Sequence, residues 1–208
     1  SATYNEGAGT LTALVEIIVP GGGNSNGATT VSIAVDAGST ASATSDYTLS
    51  TTSVSFQSNR PSGTTRTVTF SLPDDFDVEG SETLTLRLQN PTSAVVGVRP
   101  THTVTINDND TATLSFVSGT SSVAEAGGSS TIAVRLGVPG GVIKNAVTVQ
   151  LSDALSGTAT SGADYSAVPA QTLTFPAGSL DGTTRTVTVT ALSDADVEGT
   201  ETVNLDLS

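Results

Sequence analysis

Asp74-Asp75-Phe76-Asp77-Val78-Glu79-Gly80-Ser81-Glu82 runs directly into Thr83-Leu84-Thr85-Leu86-Arg87-Leu88. The second half alternates leucine with polar residues, the period of a half-buried strand. The first half places five carboxylates within nine residues. Carboxylates so crowded repel one another, so in a folded loop they must protonate, spread into water or share a cation. An acidic loop between two strands suits a hard, oxygen-seeking ion such as calcium; a solvated acidic turn is the competing reading. The pattern recurs downstream as Ser193-Asp194-Ala195-Asp196-Val197-Glu198-Gly199-Thr200-Glu201, followed by Thr202-Val203-Asn204-Leu205-Asp206-Leu207.

The recurrence extends along the whole chain. Glu6 matches Glu125, Pro20-Gly21-Gly22 matches Pro139-Gly140-Gly141, and Gly63-Thr64-Thr65-Arg66-Thr67-Val68-Thr69 matches Gly182-Thr183-Thr184-Arg185-Thr186-Val187-Thr188, all at an offset of 119 residues. Asp46-Tyr47 matches Asp164-Tyr165 at 118, a slip the spacing places near Gly162 as an insertion in copy two. A period this long marks tandem domains, because solenoid coils repeat every ~20–50 residues. The copies divide at residues 1–110 and 111–208.

Within each copy the hydrophobic period is two. Leu11, Ala13, Val15, Ile17 and Val19 alternate with Thr12, Leu14, Glu16 and Ile18, and five further alternating runs follow before Asp108. Copy two shows the same series from Leu114 to Leu207. Turn residues separate the runs, as in Arg60-Pro61-Ser62-Gly63 and Asn90-Pro91. No stretch carries a helical period. Many short antiparallel strands in ~100 residues predict an all-β fold of two tandem Greek-key, immunoglobulin-like sandwiches, each of about seven strands when complete.

Composition narrows function. A formal charge of −13 opposes binding to nucleic acid or to an acidic membrane surface. With no cysteine there is neither a disulfide framework nor a thiolate metal site. No apolar run approaches the ~18 residues of a membrane span. His102 is the only histidine and is read as an exposed strand residue; without a cysteine or a nucleophile motif near it, no catalytic triad has support. Paired carboxylates can hydrolyse glycosides, but three Tyr and five Phe over two domains leave little to line a sugar cleft. The Pro20–Gly27 loop lacks the lysine and the helix of a phosphate loop. Tyr47 and Tyr165 are read as packed residues at strand starts, and Arg66 and Arg185 as cover for an outer face that balances local acid.

Four motifs in order then carry a resemblance: Asn5-Glu6-Gly7, Ala43-Thr44-Ser45-Asp46-Tyr47, Asp77-Val78-Glu79-Gly80-Ser81-Glu82-Thr83 and Val104-Thr105-Ile106-Asn107-Asp108-Asn109-Asp110. The chain resembles the Calx-beta family, the repeat of sodium/calcium exchangers, of an integrin β subunit and of many large bacterial surface proteins. The resemblance implies a seven-stranded sandwich with calcium at one end. Carried over by position, it implies Glu6, Asp46, Asp74, Asp75, Glu79, Glu82, Asp108 and Asp110 as copy-one ligands, with the carbonyl of Asp77 a further candidate. Asn109 stands where calcium-binding members often carry another Asp. In copy two it implies Glu125, Asp164, Asp194, Glu198 and Glu201, a poorer set because Ser193 replaces the first acid of the loop and Ala195 is neutral.

The expected cofactor is Ca2+ and no enzymatic activity is expected. The expected role is a structural repeat of an extracellular or cell-surface adhesin or fibre, with calcium stiffening the inter-domain junction. The alternative is a calcium-sensing regulatory module. Expected partners are further repeats of the same chain, with neighbouring chains joining by β-strand addition as a second possibility; no nucleic acid or membrane insertion is expected. Copy one has no counterpart of the strand around Ala112–Val117, and copy two none of Asn90–Asp110, so the sequence reads as a window on a longer array.

Overall fold

The computed structural model describes all of residues 1–208 except Ala126 and Asp196. Every regular element in the described residues is a strand, and no helix there is long and apolar enough to cross a membrane. The chain divides into two compact units: Ser1–Asp75 with Gly80–Asn109, and Phe76–Glu79 with Asp110–Ser208. The four residues Phe76–Glu79, inside the acidic stretch of copy one, thus belong to the second unit.

The first unit contains β1 (Ala2–Asn5), β2 (Gly9–Glu16), β3 (Thr29–Val35), β4 (Thr48–Leu49), β5 (Ser53–Phe56), β6 (Thr65–Leu72), β7 (Glu82–Gln89) and β8 (Thr101–Asn107). One sheet runs β1-β8-β7-β3-β5 and the other β2-β6-β4. The alternating residues named from the sequence fill the space between them. Phe70, Leu72, Leu84, Val104 and Ile106 are almost wholly buried, while Thr and Ser at the intervening positions face outward. At about 25 cal/mol per Å2 of apolar surface this burial is the main force holding the sheets together. One element departs from the antiparallel expectation: β1 pairs in parallel with β8, Tyr4 opposite Ile106 and Asn5 opposite Asn107. With only Ala2 and Tyr4 as its alternating side chains, this strand gives a weak hydrophobic period.

The second unit contains β9 (Thr113–Phe116), β10 (Ser129–Gly137), β11 (Val147–Asp153), β12 (Gln171–Phe175), β13 (Thr184–Thr190) and β14 (Leu205–Leu207), in sheets β13-β10-β9 and β12-β11-β14. Its core gathers Val134, Leu136, Val138, Ile143, Leu151 and Phe175. The registers also relocate the slip in spacing. Thr29 faces Phe56 where Val147 faces Phe175, so the offset is already 118 at β11 and returns to 119 at β12. Copy two is therefore one residue shorter in the Pro139–Val147 loop and one longer after Tyr165; there is no insertion at Gly162.

Three further readings are refined. His102 is half-buried on β8 rather than exposed, and burial holds its imidazole below the usual histidine range, aided by the charge of the N-terminus. Arg66 and Arg185 are placed by a carbonyl and a ring. Each donates through Nε to a carbonyl, of Ser55 and Thr174, and lies over the ring of a buried phenylalanine, Phe56 at 5.3 Å and Phe175 at 5.5 Å. Tyr47 and Tyr165 are packed, 8% and 4% exposed.

Phe76–Glu79 is held in the second unit mainly by backbone. Val78 N–H donates to the Val142 carbonyl at 2.8 Å, and Lys144 N–H donates to that of Val78 at 2.8 Å. The side chain of Asp77 accepts from Val142 N–H at 2.8 Å. The approach is so close that a Cβ on Gly141 would lie 1.7 Å from the Phe76 carbonyl oxygen, which explains why Pro139-Gly140-Gly141 must end in glycine. Gly141→Ala is expected to break this bridge, lowering stability by about 2 kcal/mol or more and opening the Val78 amide to rapid hydrogen exchange. Unchanged protection of that amide would refute the assignment.

Candidate metal centre

The carboxylates of the first unit are positioned by backbone. Glu6 ends the β1 segment, where its N–H donates to the Asn107 carbonyl at 3.0 Å, and Gly7 N–H donates to that of Pro73 at 3.1 Å. These two bonds tie the end of β1 to the end of β8 and to the start of the acidic stretch. Gly7 has φ +70, and a Cβ there would meet Asp74 Oδ1 at 2.8 Å; the glycine of Asn5-Glu6-Gly7 is needed on both counts. Asp46 sits in the turn before β4, held by its own N–H to the Ser42 carbonyl at 3.1 Å and by a short hydrogen bond from Ser42 N–H to Asp46 Oδ2.

Glu6 is 6% exposed and Asp46 1%. A carboxylate oxygen of Glu6 lies within 4.8 Å of one from Asp46, and likewise of one from Asp75. Two acids thus leave water almost completely while standing beside each other, an arrangement in which both stay ionised only with help from hydrogen bonds or a cation. One oxygen of Glu82, at the start of β7, is also shielded from solvent. Asp74 is exposed and accepts a hydrogen bond from Asn109 Nδ2 at 3.2 Å. Asp108 is half-buried just after β8. Asp74, Glu82 and Asp108 are not among the described groups of three or more acids converging within 4.8 Å.

Asp77, Glu79 and Asp110 belong to the second unit. There the ammonium of Lys144 lies 2.7 Å from Asp77 Oδ2 and 3.4 Å from Glu79 Oε1. Lys144 is the only lysine in the chain, and the sequence reading gave it no role. Its pKa is raised, first by the hydrogen bond to Asp77, with burial opposing and the two carboxylate charges assisting. A raised lysine pKa contributes stability that is complete below about 10.5 and is lost as pH climbs through the folded value, so the pair is fully formed at neutral pH. Half of the lysine side chain is in water, and solvent screens the gain.

The five acids of copy two come together. Asp164, Asp194 and Glu198 bring carboxylate oxygens within 4.8 Å of one another. Glu201 is held above the ordinary glutamate range first by its hydrogen bond with Asp164, then by burial and by the charges of Asp164, Glu198 and Glu125. Asp194 and Glu198 are exposed and Asp164 half-buried, so this cluster stays wetter than that of Glu6 and Asp46. Asp196 of the same stretch lies outside the described residues. Asp164 repeats the turn of Asp46: its N–H donates to the Thr160 carbonyl at 3.0 Å and its Oδ2 accepts from Thr160 N–H at 2.6 Å. Tyr165 donates a short hydrogen bond to Asp153 Oδ2, a contact without a sequence signal because Asp153 aligns with Val35.

The two turns differ at one informative place. Thr44 has φ 81, and its counterpart Gly162 has φ 89. A β-branched residue pays for that backbone where glycine does not. Thr44→Gly is expected to raise the stability of the first unit by about 1 kcal/mol, read as a higher melting temperature; a lower one would show that the threonine is not strained. Glu201→Gln, which removes one of several repelling charges, is expected to melt no lower than the parent in chelator at pH 7 and to lose part of any gain from calcium. A fall in chelator matching the fall in calcium would contradict the repulsion.

The donor set is entirely carboxylate oxygen, the chemistry of calcium rather than of zinc or copper. The Calx-beta domain model matches residues 1–110 and again 107–208. Among solved structures, CBD12 from CALX1.2 is 20% identical, with 100% of this chain and 76% of that one covered at a TM-score of 0.44. The calcium-binding domain CBD12 of CALX1.1 is 20% identical over 99% and 76%, also at 0.44. The apo form of the Calx CBD1 domain is 24% identical over 52% and 89%, at 0.42. No curated protein gives a match.

Proposed function

This chain belongs to the Calx-beta family, and we propose that it is a calcium-binding structural repeat of an extracellular or cell-surface adhesin or fibre. The observation that carries the calcium reading is the pair of buried carboxylates, Glu6 and Asp46, with Asp75 beside Glu6. A bound Ca2+ there supplies charge that cancels their repulsion; Glu6, Asp46 and Asp75 hold it in the first unit, and Asp164, Asp194, Glu198, Glu201 and Glu125 hold it in the second. The structural role rests on the sequence. Asp108-Asn109-Asp110 passes into Thr111-Ala112-Thr113-Leu114 without a Gly/Ser or Pro linker, so calcium at those acids would restrict the chain where the two repeats join.

Calorimetric titration of the metal-free protein tests the proposal. Calcium is expected to bind, and to stabilise the fold by roughly 2.7 kcal/mol at a hundred times Kd. Glu6→Gln and Asp46→Asn are expected to weaken the tightest site at least tenfold, about 1.4 kcal/mol, while Glu16→Gln on the exposed face of β2 leaves it unchanged. Equal melting temperatures in calcium and chelator would refute calcium binding. Small-angle scattering in the same two conditions tests the role: a stiffened spacer narrows its distribution of shapes once and stays saturated at extracellular calcium, whereas a sensor changes shape in step with micromolar calcium.

A further inference from the structure

The chain holds two dipeptides with the same chemical weakness, Asn26-Gly27 and Asp181-Gly182. In each, the backbone nitrogen of the glycine can attack the side-chain carbonyl carbon of the residue before it and close a five-membered ring. Glycine favours the attack because no Cβ crowds its nitrogen and its backbone bends freely. The reacting atoms must first approach to about 3–3.5 Å, so both the side chain and the amide must be able to turn. The fold treats the two sites differently. Asp181-Gly182 is locked. Asp181 Oδ1 accepts from Val138 N–H and Oδ2 from Arg135 Nη2, each at 2.9 Å. Gly182 N–H donates to the Leu136 carbonyl at 2.9 Å. The carboxylate is thus fixed at both oxygens, and the nitrogen that would attack it is engaged elsewhere.

Asn26-Gly27 is loose. It lies in the loop between β2 and β3, the glycine-rich stretch to which the sequence assigned no role. Ser25 is pinned there by two backbone bonds, its N–H to the Arg60 carbonyl at 2.8 Å and its carbonyl from Asn59 N–H at 2.7 Å. The next anchor is Thr29, where β3 begins. Between these anchors Asn26 is exposed. Among the described residues, neither its side-chain amide nor Gly27 N–H has a hydrogen-bond partner. Nothing there keeps the Asn26 side chain from swinging over the Gly27 nitrogen. The second unit supplies a contrast. At the repeat offset of 119 the counterpart of Asn26 is Asn145, also exposed, but the residue after it is Ala146, whose Cβ stands beside the nitrogen that would attack.

We propose that Asn26 is a site of spontaneous covalent modification, deamidating through a succinimide formed with Gly27. The Gly27 nitrogen gives up its proton and bonds to Asn26 Cγ. The Cγ–Nδ2 bond breaks, and the amide nitrogen leaves with that proton as ammonia. Water then opens the ring at either carbonyl. Opening at the side-chain carbonyl leaves aspartate; opening at the backbone carbonyl leaves isoaspartate, whose main chain runs through Cβ and Cγ. One water is consumed and one ammonia released, and nothing is oxidised or reduced. The product carries a carboxylate in place of an amide, one unit more negative than the −13 of the sequence. Sequence alone names two labile sites; the hydrogen bonds of the fold leave one.

Timed incubation of the folded 208-residue protein in warm, mildly alkaline buffer, followed by peptide mapping with mass spectrometry, tests this. The peptide containing Asn26 is expected to gain the mass of a hydroxyl exchanged for an amino group and to separate into two isomers. Its rate is expected to exceed that of the Asn145 peptide by roughly tenfold or more. Asp181 is expected to remain a single isomer in the folded protein and to isomerise once urea unfolds it. Gly27→Ala is expected to slow conversion of Asn26 by roughly tenfold or more. The nearest atom to a Cβ at Gly27 is Ser93 Cβ, 3.9 Å away, and the φ of Gly27 is not left-handed, so this variant is expected to keep the parent melting temperature. The comparison of Asn26 with Asn145 is made within the parent and needs no variant. Conversion of Asn26 no faster than that of Asn145 would overturn the proposal. So would an unchanged rate in a folded Gly27→Ala protein, or isomerisation of Asp181 in the folded protein as fast as conversion of Asn26.

Discussion

Two acids that have left water set the terms for this protein. Glu6 and Asp46 are as buried as the leucines of the core, yet each carries a group whose charged form loses several kcal/mol when removed from solvent without compensation. The fold around them is built to hold that arrangement. A parallel strand of four residues, Ala2–Asn5, leads into Glu6, whose N–H is tied to the end of β8, and a turn strained at Thr44 presents Asp46. Nothing in hydrophobic packing calls for acids at these places. Such an arrangement is held by hydrogen bonds or by an opposite charge, and a divalent ion coordinated by oxygen supplies the latter.

The second unit meets the same problem in two ways. Its own acids, Asp164, Asp194, Glu198 and Glu201, converge closer to solvent, where water weakens repulsion, and the cost appears as the raised pKa of Glu201. Asp77 and Glu79 of the first acidic stretch are answered by a cation within the protein, the single lysine at position 144. Similar acidic sequences thus have different electrostatic fates, decided by what each loop packs against.

The sheets were legible in the sequence because the hydrophobic period of two is strong and repeated. All but the shortest strands follow the alternation from Leu11 to Leu207, and the repeat offset identifies equivalent strands before any coordinates. β1 and β4 were not legible, since β4 has only two residues and β1 offers Ala2 and Tyr4, a weaker alternation than the Val54/Phe56 and Leu114/Phe116 pairs of the equally short β5 and β9. The acidic clustering of Asp164, Asp194, Glu198, Glu201 and Glu125 was anticipated only through resemblance, because these residues are separated in sequence and meet only when the sandwich closes. The role of Lys144 was not visible, since its partners lie 65 to 67 residues upstream and pairing at that distance leaves no local pattern. The strain at Thr44 was readable in principle, because the other copy places Gly162 at the corresponding position.

The most direct test of this account is a crystal structure of the protein grown in calcium, with the ion identified by its anomalous signal. The account predicts an ion within about 2.3–2.6 Å of oxygens from both Glu6 and Asp46, the range of calcium–oxygen bonds. A calcium-saturated crystal in which these two carboxylates bind no ion would contradict it.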